Sequence, residues 1–187
     1  MYEKLKDLDT LPATIVLPGL EAVKTSLRSK DLTWENFLSD NDTFESVSCD
    51  PDDHCNILFS SGTTGEPKAI PWTHATPIKC AADGYLHQDI KPEDVVAWPT
   101  NIGWMMGPWL IFAALVNDAS IALYYGAPVD RQFGKFVQNA RINMLGLVPS
   151  MVKRWIETNC MEGLDWSNIK VFSSTGESSN PQDYLWL

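Results

Sequence analysis

Ser60-Ser61-Gly62-Thr63-Thr64-Gly65-Glu66-Pro67-Lys68 decides how this chain is read. Four hydroxyl residues, two glycines and a lysine share nine positions, directly after the apolar run Asn56-Ile57-Leu58-Phe59. That run reads as a short buried strand. A strand that empties into a Gly/Ser/Thr loop carrying a lysine suits phosphate. Glycine lets the backbone approach closely and take positive φ. Successive N–H groups then form an anion-binding concavity, to which the hydroxyls add donors and the lysine adds charge. The loop is not a P-loop of the form G-x-x-x-x-G-K-[ST]: Glu66 rather than lysine follows Gly65, and Gly62 lies only three residues before it. The plainer alternative is a Ser/Thr/Gly surface loop, against which stand the Pro67-Lys68 ending and the preceding strand.

Composition narrows the class. The chain has 187 residues, 44% hydrophobic and 20% charged, with a formal net charge of -10. That is a globular composition, of a size for one domain or a piece of a larger one. No basic patch is available to neutralise a nucleic-acid backbone, so a nucleic-acid partner is not expected. No run reaches the ~18 apolar residues of a membrane span, and Met1 to Asp7 lacks the apolar core of a secretory signal. The stretch from Met105 to Val116 suits a core helix. Cys49, Cys55, Cys80 and Cys160 have no C-x-x-C spacing, which excludes the usual metal pattern and fits reduced, mostly buried thiols. No metal ligands are assigned.

Along the chain, 13–17 reads as a strand closed by Pro18-Gly19, and 33–38 as a short helix capped by Thr33 or Asp31. Asp50 to Asp53 reads as a turn. After the loop, strands are expected at 94–98, 120–125, 143–148 and 169–172. Helices are expected from Thr76 as N-cap to Leu86, from Pro108 to Val116, from Asp130 as cap to Ala140, and from Ser150 as cap to Asn159. This alternation implies an α/β fold with parallel-rich sheets and covering helices. Residues 1–54 read as a segment with one strand and an acidic linker, and 55–187 as the core. The ending Tyr184-Leu185-Trp186-Leu187 reads as an interruption inside an element.

Two further stretches join the loop in a recognisable order: Gly103-Trp104-Met105-Met106-Gly107 and Ser174-Thr175-Gly176-Glu177. Together with Ser60 to Lys68 they resemble the adenylate-forming superfamily of acyl-CoA synthetases, luciferases and peptide-synthetase adenylation domains. The likeness runs from Cys55 to the end. It is nearest to the acetyl-CoA synthetase branch and the plant acyl-activating enzymes assigned to peroxisomes. The resemblance implies the large N-terminal domain of an enzyme that activates a carboxylic acid with ATP and Mg2+ to an acyl-adenylate, then passes the acyl group to coenzyme A. It implies ATP phosphate contacts at Ser60, Ser61, Gly62, Thr63, Thr64, Gly65 and Lys68, the lysine either touching phosphate or bracing the loop by an ion pair. It places adenine and AMP at Gly176, Glu177 and Ser178. The acyl pocket falls to Trp104, Met105, Met106 and Thr175, with core packing as the alternative for the tryptophan and methionines.

His74, which matches a histidine often found after this loop, reads as structural rather than catalytic, and no catalytic residue is assigned. Ala69 departs from the family's glycine after Pro-Lys, and Pro108-Trp109 from its more polar continuation. The family's aromatic-x-Thr-Glu turn, ribose aspartate and C-terminal lysine have no counterpart here. The 187 residues alone are therefore expected to be inactive. The alternative is a truncated nucleotide-binding remnant without turnover. The acid, the oligomeric state and the choice between peroxisome and cytoplasm are left open.

Overall fold

The computed structural model describes residues 2–8, 10–18, 22–60 and 65–187. The expectations for Gly19 and for Ser61, Gly62, Thr63 and Thr64 fall outside these residues. The chain forms two compact units, Met1–Ser48 and Cys49–Leu187.

In the first unit, strand β1 (Ile15–Val16) pairs in parallel with β2 (Leu32–Thr33). The one-turn helix α1 (Trp34–Phe37) follows at once, and Thr33 Oγ1 accepts from Asn36 N at 3.4 Å. Asp31 does not cap it. Its buried carboxylate accepts from Arg28 Nε at 2.6 Å, Arg28 Nη2 at 2.8 Å and Thr14 N at 3.0 Å, and from the Tyr2 hydroxyl. The Arg28 guanidinium, helped by the Tyr2 and Thr14 hydrogen bonds, holds the Asp31 carboxyl well below the usual carboxylate range. The sign follows from linkage. A carboxylate with a depressed folded pKa stabilises the fold above its unfolded value of about 3.9, and that contribution disappears as pH falls further. Acidification below about pH 4 is therefore expected to loosen residues 2–48, and Asp31→Asn to blunt that response. Limited proteolysis against pH reads it directly; a native cleavage pattern persisting to pH 2 in the unmodified chain would show that Asp31 does not tie this unit together.

The second unit begins with a hairpin. Strand β3 (His54–Ser60) runs antiparallel to β4 (Lys68–Thr73), with Ser60 opposite Lys68. Two expectations are corrected here. The strand at 56–59 is not buried: Ile57 and Phe59 are 53% and 68% exposed, because a two-stranded ribbon covers little of itself. The loop also returns into a second strand before the next helix, a strand masked in the sequence by Pro71. Proline is tolerated in such a ribbon because its missing N–H can face outward. Helix α2 (Ala75–His87) follows, with His74 rather than Thr76 at its N-cap.

Strand β5 (Val95–Ala97), helix α3 (Met106–Leu115), strand β6 (Ser120–Ile121), helix α4 (Arg131–Asn139), strand β7 (Met144–Leu147), helix α5 (Pro149–Glu157) and strand β8 (Val171–Ser174) then alternate. The chain ends with the short helix α6 (Pro181–Tyr184). The sheet is wholly parallel, in the order β6-β5-β7-β8. The expected parallel-rich α/β class is borne out. Helix α4 is a local product of its sequence. Asp130 caps it by accepting from Gln132 N and Phe133 N, and Phe133, Phe136 and Val137 fall on one face. Strand β6 is shorter than the expected 120–125, because its neighbour β5 offers only three residues. Helix α3 starts at Met106, so Pro108 sits in its first turn, where an amide hydrogen would lack a helical partner anyway.

The pleat divides the core. Val96 and Met144 face Leu110, Ala113 and Ala114 of α3. Ala97, Leu145 and Leu147 face Phe133, Val137, Val152 and Trp155 of α4 and α5. The β5-α3-β6 crossover thus uses one face of the sheet. The next two crossovers use the other face and run in the opposite direction. Strand order reverses between β5 and β7, and in open sheets of this kind ligands bind outside the carboxyl ends of the strands at that point.

Candidate functional site

A cavity of about 560 Å³ opens at that place. Its floor is formed where β5 and β7 end, at Trp98 and Val148. Thr175 and Gly176, just past β8, and Tyr124 and Phe136 complete two walls. Trp104, Met105 and Met106 lie on the same cavity. All four residues expected at an acyl pocket are therefore together with one of those expected at the nucleotide.

The Gly103–Gly107 turn explains how the first three get there. Asn101 Oδ1 accepts from Gly103 N at 2.8 Å, Trp104 N donates to Asn101 O at 2.9 Å, and Gly107 N donates to Trp104 O at 2.8 Å. A Cβ on Gly107 would stand 2.5 Å from the Ile102 Cα, so the close approach requires glycine. The result pushes Trp104 and Met105 outward, 72% and 57% exposed. They are cavity residues and not core.

Gly176 takes φ +92°, and Glu177 turns away from the cavity. Its carboxylate accepts from Ser150 N at 2.8 Å and from Ser150 Oγ at 3.0 Å. Ser150 is not the N-cap of α5; Val148 is, and Ser150 sits in the first turn. The helix end is capped instead by a carboxylate from the turn after β8, with the favourable dipole sign. Ser178 is exposed and, like Glu177, does not line the cavity.

The described phosphate-loop residues, Ser60, Gly65 and Lys68, do not line this cavity. Ser60 and Lys68 are paired at the mouth of the β3-β4 hairpin, so a strand ladder clamps the loop base. Gly65 has φ +113°, a backbone state that suits glycine, and none of the described residues would meet a Cβ there. Among the described residues Lys68 is exposed and makes no ion pair. His74 caps α2 through its backbone alone: its N donates to Asp53 O at 3.0 Å, and its side chain makes no capping hydrogen bond.

A second cavity of about 540 Å³ shares Trp98, Met105, Met106 and Thr175 with the first. It also carries Trp109 and a polar edge containing Lys79, Asp83 and His87. Lys79 is ion-paired with Asp83, and His87 Nε2 lies 3.9 Å from the same carboxylate. Cys80 lines it too, but burial pushes its thiol up, and burial likewise pushes the Cys160 thiol up to about 11. Neither is a thiolate nucleophile near neutral pH. Trp98, Tyr124 and Phe136 were not singled out from the sequence. Only Trp98 carried a usable signal, standing at the carboxyl end of an expected parallel strand.

The family model described as AMP-binding enzyme matches residues 3–187. The chain is 55% identical over 182 residues to hexanoyl-CoA synthase of Cannabis sativa, covering 94% of this chain and 25% of that protein. It is 49% identical over 193 residues to the probable acyl-activating enzyme 17, peroxisomal, of Arabidopsis thaliana, covering 100% of this chain and 27% of that protein. Among solved structures, acetoacetyl-CoA synthetase from Streptomyces lividans matches with a TM-score of 0.81 at 28% identity, over 98% of this chain and 29% of that one. The chain thus spans about a quarter of the length of these curated relatives.

Proposed function

Because the chain belongs to the AMP-binding enzyme family, we propose that the protein carrying it is an acid–thiol ligase that makes acyl-CoA from a carboxylic acid, ATP and coenzyme A. A carboxylate oxygen forms a bond to the α-phosphorus of ATP while the bond to the bridging oxygen breaks and pyrophosphate leaves. The thiol sulfur then bonds to the acyl carbon and AMP departs. The observation that carries this reading is the cavity at the strand-order reversal, where Thr175 and Gly176 meet an apolar wall of Trp104, Met105 and Met106. The wall solvates an acyl chain, and the turn at Gly176 leaves room for a nucleotide to approach backbone.

The residues fit their substrates. Gly65 takes a backbone state that lets the chain approach a phosphate closely, and Lys68 is a charge uncommitted to any described carboxylate, which suits the leaving pyrophosphate. Among the described residues no group of three His, Cys, Asp or Glu could hold a metal ion. Mg2+ enters this reading as part of the MgATP substrate, with no described residue proposed to hold it. Two methionines make a deformable wall suited to a small or medium acyl chain. Coenzyme A as acceptor is supported by the relatives, one a hexanoyl-CoA synthase. A peroxisomal address is supported by two relatives whose names carry that word.

The test is acid-dependent ATP–pyrophosphate exchange by the protein expressed from the complete reading frame, across short, medium and aromatic acids. Exchange with at least one class, weakened by Lys68→Ala, is expected. An absence of exchange with every acid would sink the ligase reading and leave a nucleotide-binding remnant.

A further inference from the structure

The two cavities meet at one buried indole. Trp98 is 6% exposed and faces both cavities. Its ring lies over Gly146 of β7: a Cβ at 146 would stand 1.9 Å from Trp98 Cδ2 and 2.2 Å from Cε3. No side chain larger than hydrogen allows this seat. On its far side the indole meets Trp109 edge-on, with ring centroids 5.6 Å apart and planes at 74°. A tryptophan that only fills a core is surrounded by protein. This one is a buried member of the core on the α3 side whose remaining surface borders both cavities, which is the position of a partition.

We propose that Trp98, held on Gly146, is the specificity residue that keeps the two cavities apart and thereby limits acyl-chain length. The inference rests on the acid-activating reading above. With the carboxyl end at Thr175, a growing chain fills the first cavity and then meets the indole. The second cavity, of nearly equal volume, becomes reachable when the ring is removed. Besides the shared residues it is lined by Trp72 and Trp109, apolar surface that accepts added methylenes. Met105 and Met106 border both cavities and can repack around whichever chain passes.

The experiment compares kcat/KM for dodecanoate with that for hexanoate in the protein from the complete reading frame, unmodified and with Trp98→Ala or Trp98→Phe. The ratio within one variant is independent of the folded fraction, so partial destabilisation does not disguise the answer. The dodecanoate-to-hexanoate ratio is expected to rise about tenfold or more in Trp98→Ala, with Trp98→Phe between the two. A ratio unchanged in an active variant overturns the assignment. So does loss of all exchange in both variants, which would make the indole a requirement of the fold or the reaction rather than of chain selection. Unmodified protein that activates no acid takes down the ligase reading itself, and this inference with it. An active enzyme with an unmoved ratio takes down the Trp98 assignment alone.

Discussion

Gly65→Val, combined with Thr64→Ala, is expected to reduce ATP–pyrophosphate exchange by about 100-fold or more while the melting curve stays where it was. The reasoning separates backbone from packing. At φ +113° a β-branched residue is strained by about 1–3 kcal/mol, yet a Cβ there meets none of the described residues within 4 Å. The strain is relieved by re-forming the loop, and the Ser60-Lys68 pairing outside it confines the change. On the proposed reading the loop's donors to a departing pyrophosphate are then lost, and Thr64→Ala removes a hydroxyl as well. Steady-state kinetics and thermal melting decide together. Unchanged kinetics would remove the loop from the site, and a fall in melting temperature in step with activity would make its role structural.

Trp155→Ala is expected to be the most damaging core substitution, at about 3–5 kcal/mol. The side chain is fully buried, stacked on Phe133 at 5.6 Å and edge-on to Trp166 at 5.6 Å. Its Nε1 donates to Pro128 O at 2.7 Å, so truncation leaves both a cavity and an unpaired carbonyl on the segment leading to Asp130 and its cap of α4. For a unit of this size the melting temperature should fall by about 10 °C. Denaturant unfolding of the variant measures it. A loss below about 1 kcal/mol would show that this aromatic cluster is not what fastens α4 and α5 to the sheet.

Features with local causes could be read from the sequence. Asp130 announces α4 because its carboxylate caps amides two and three residues on, and the alternation of apolar runs and caps declares a parallel sheet. What depended on distant partners could not be read. Ser150 looked like a cap, but the capping carboxylate comes from Glu177, 27 residues later in the chain. Strand β4 hid behind Pro71, whose penalty vanishes in a two-stranded ribbon. Trp104, Met105, Met106 and Thr175 were named from motifs, and the fold brings them to one cavity. Trp98 was passed over because its significance lies in the absence of a side chain at Gly146, a residue 48 positions away whose smallness means nothing until the strands are laid side by side.

Glu177 also makes the turn at Gly176 and the start of α5 a single balance. The carboxylate accepts from two donors of Ser150, so any ligand that draws Glu177 toward itself must first release the end of a helix. Helix-end order and occupancy of the turn are then thermodynamically linked, and the linkage is reciprocal. If a ligand at this turn engages Glu177, a perturbation at Ser150 alters how tightly the turn holds it. The helix terminus becomes a tuning point for affinity.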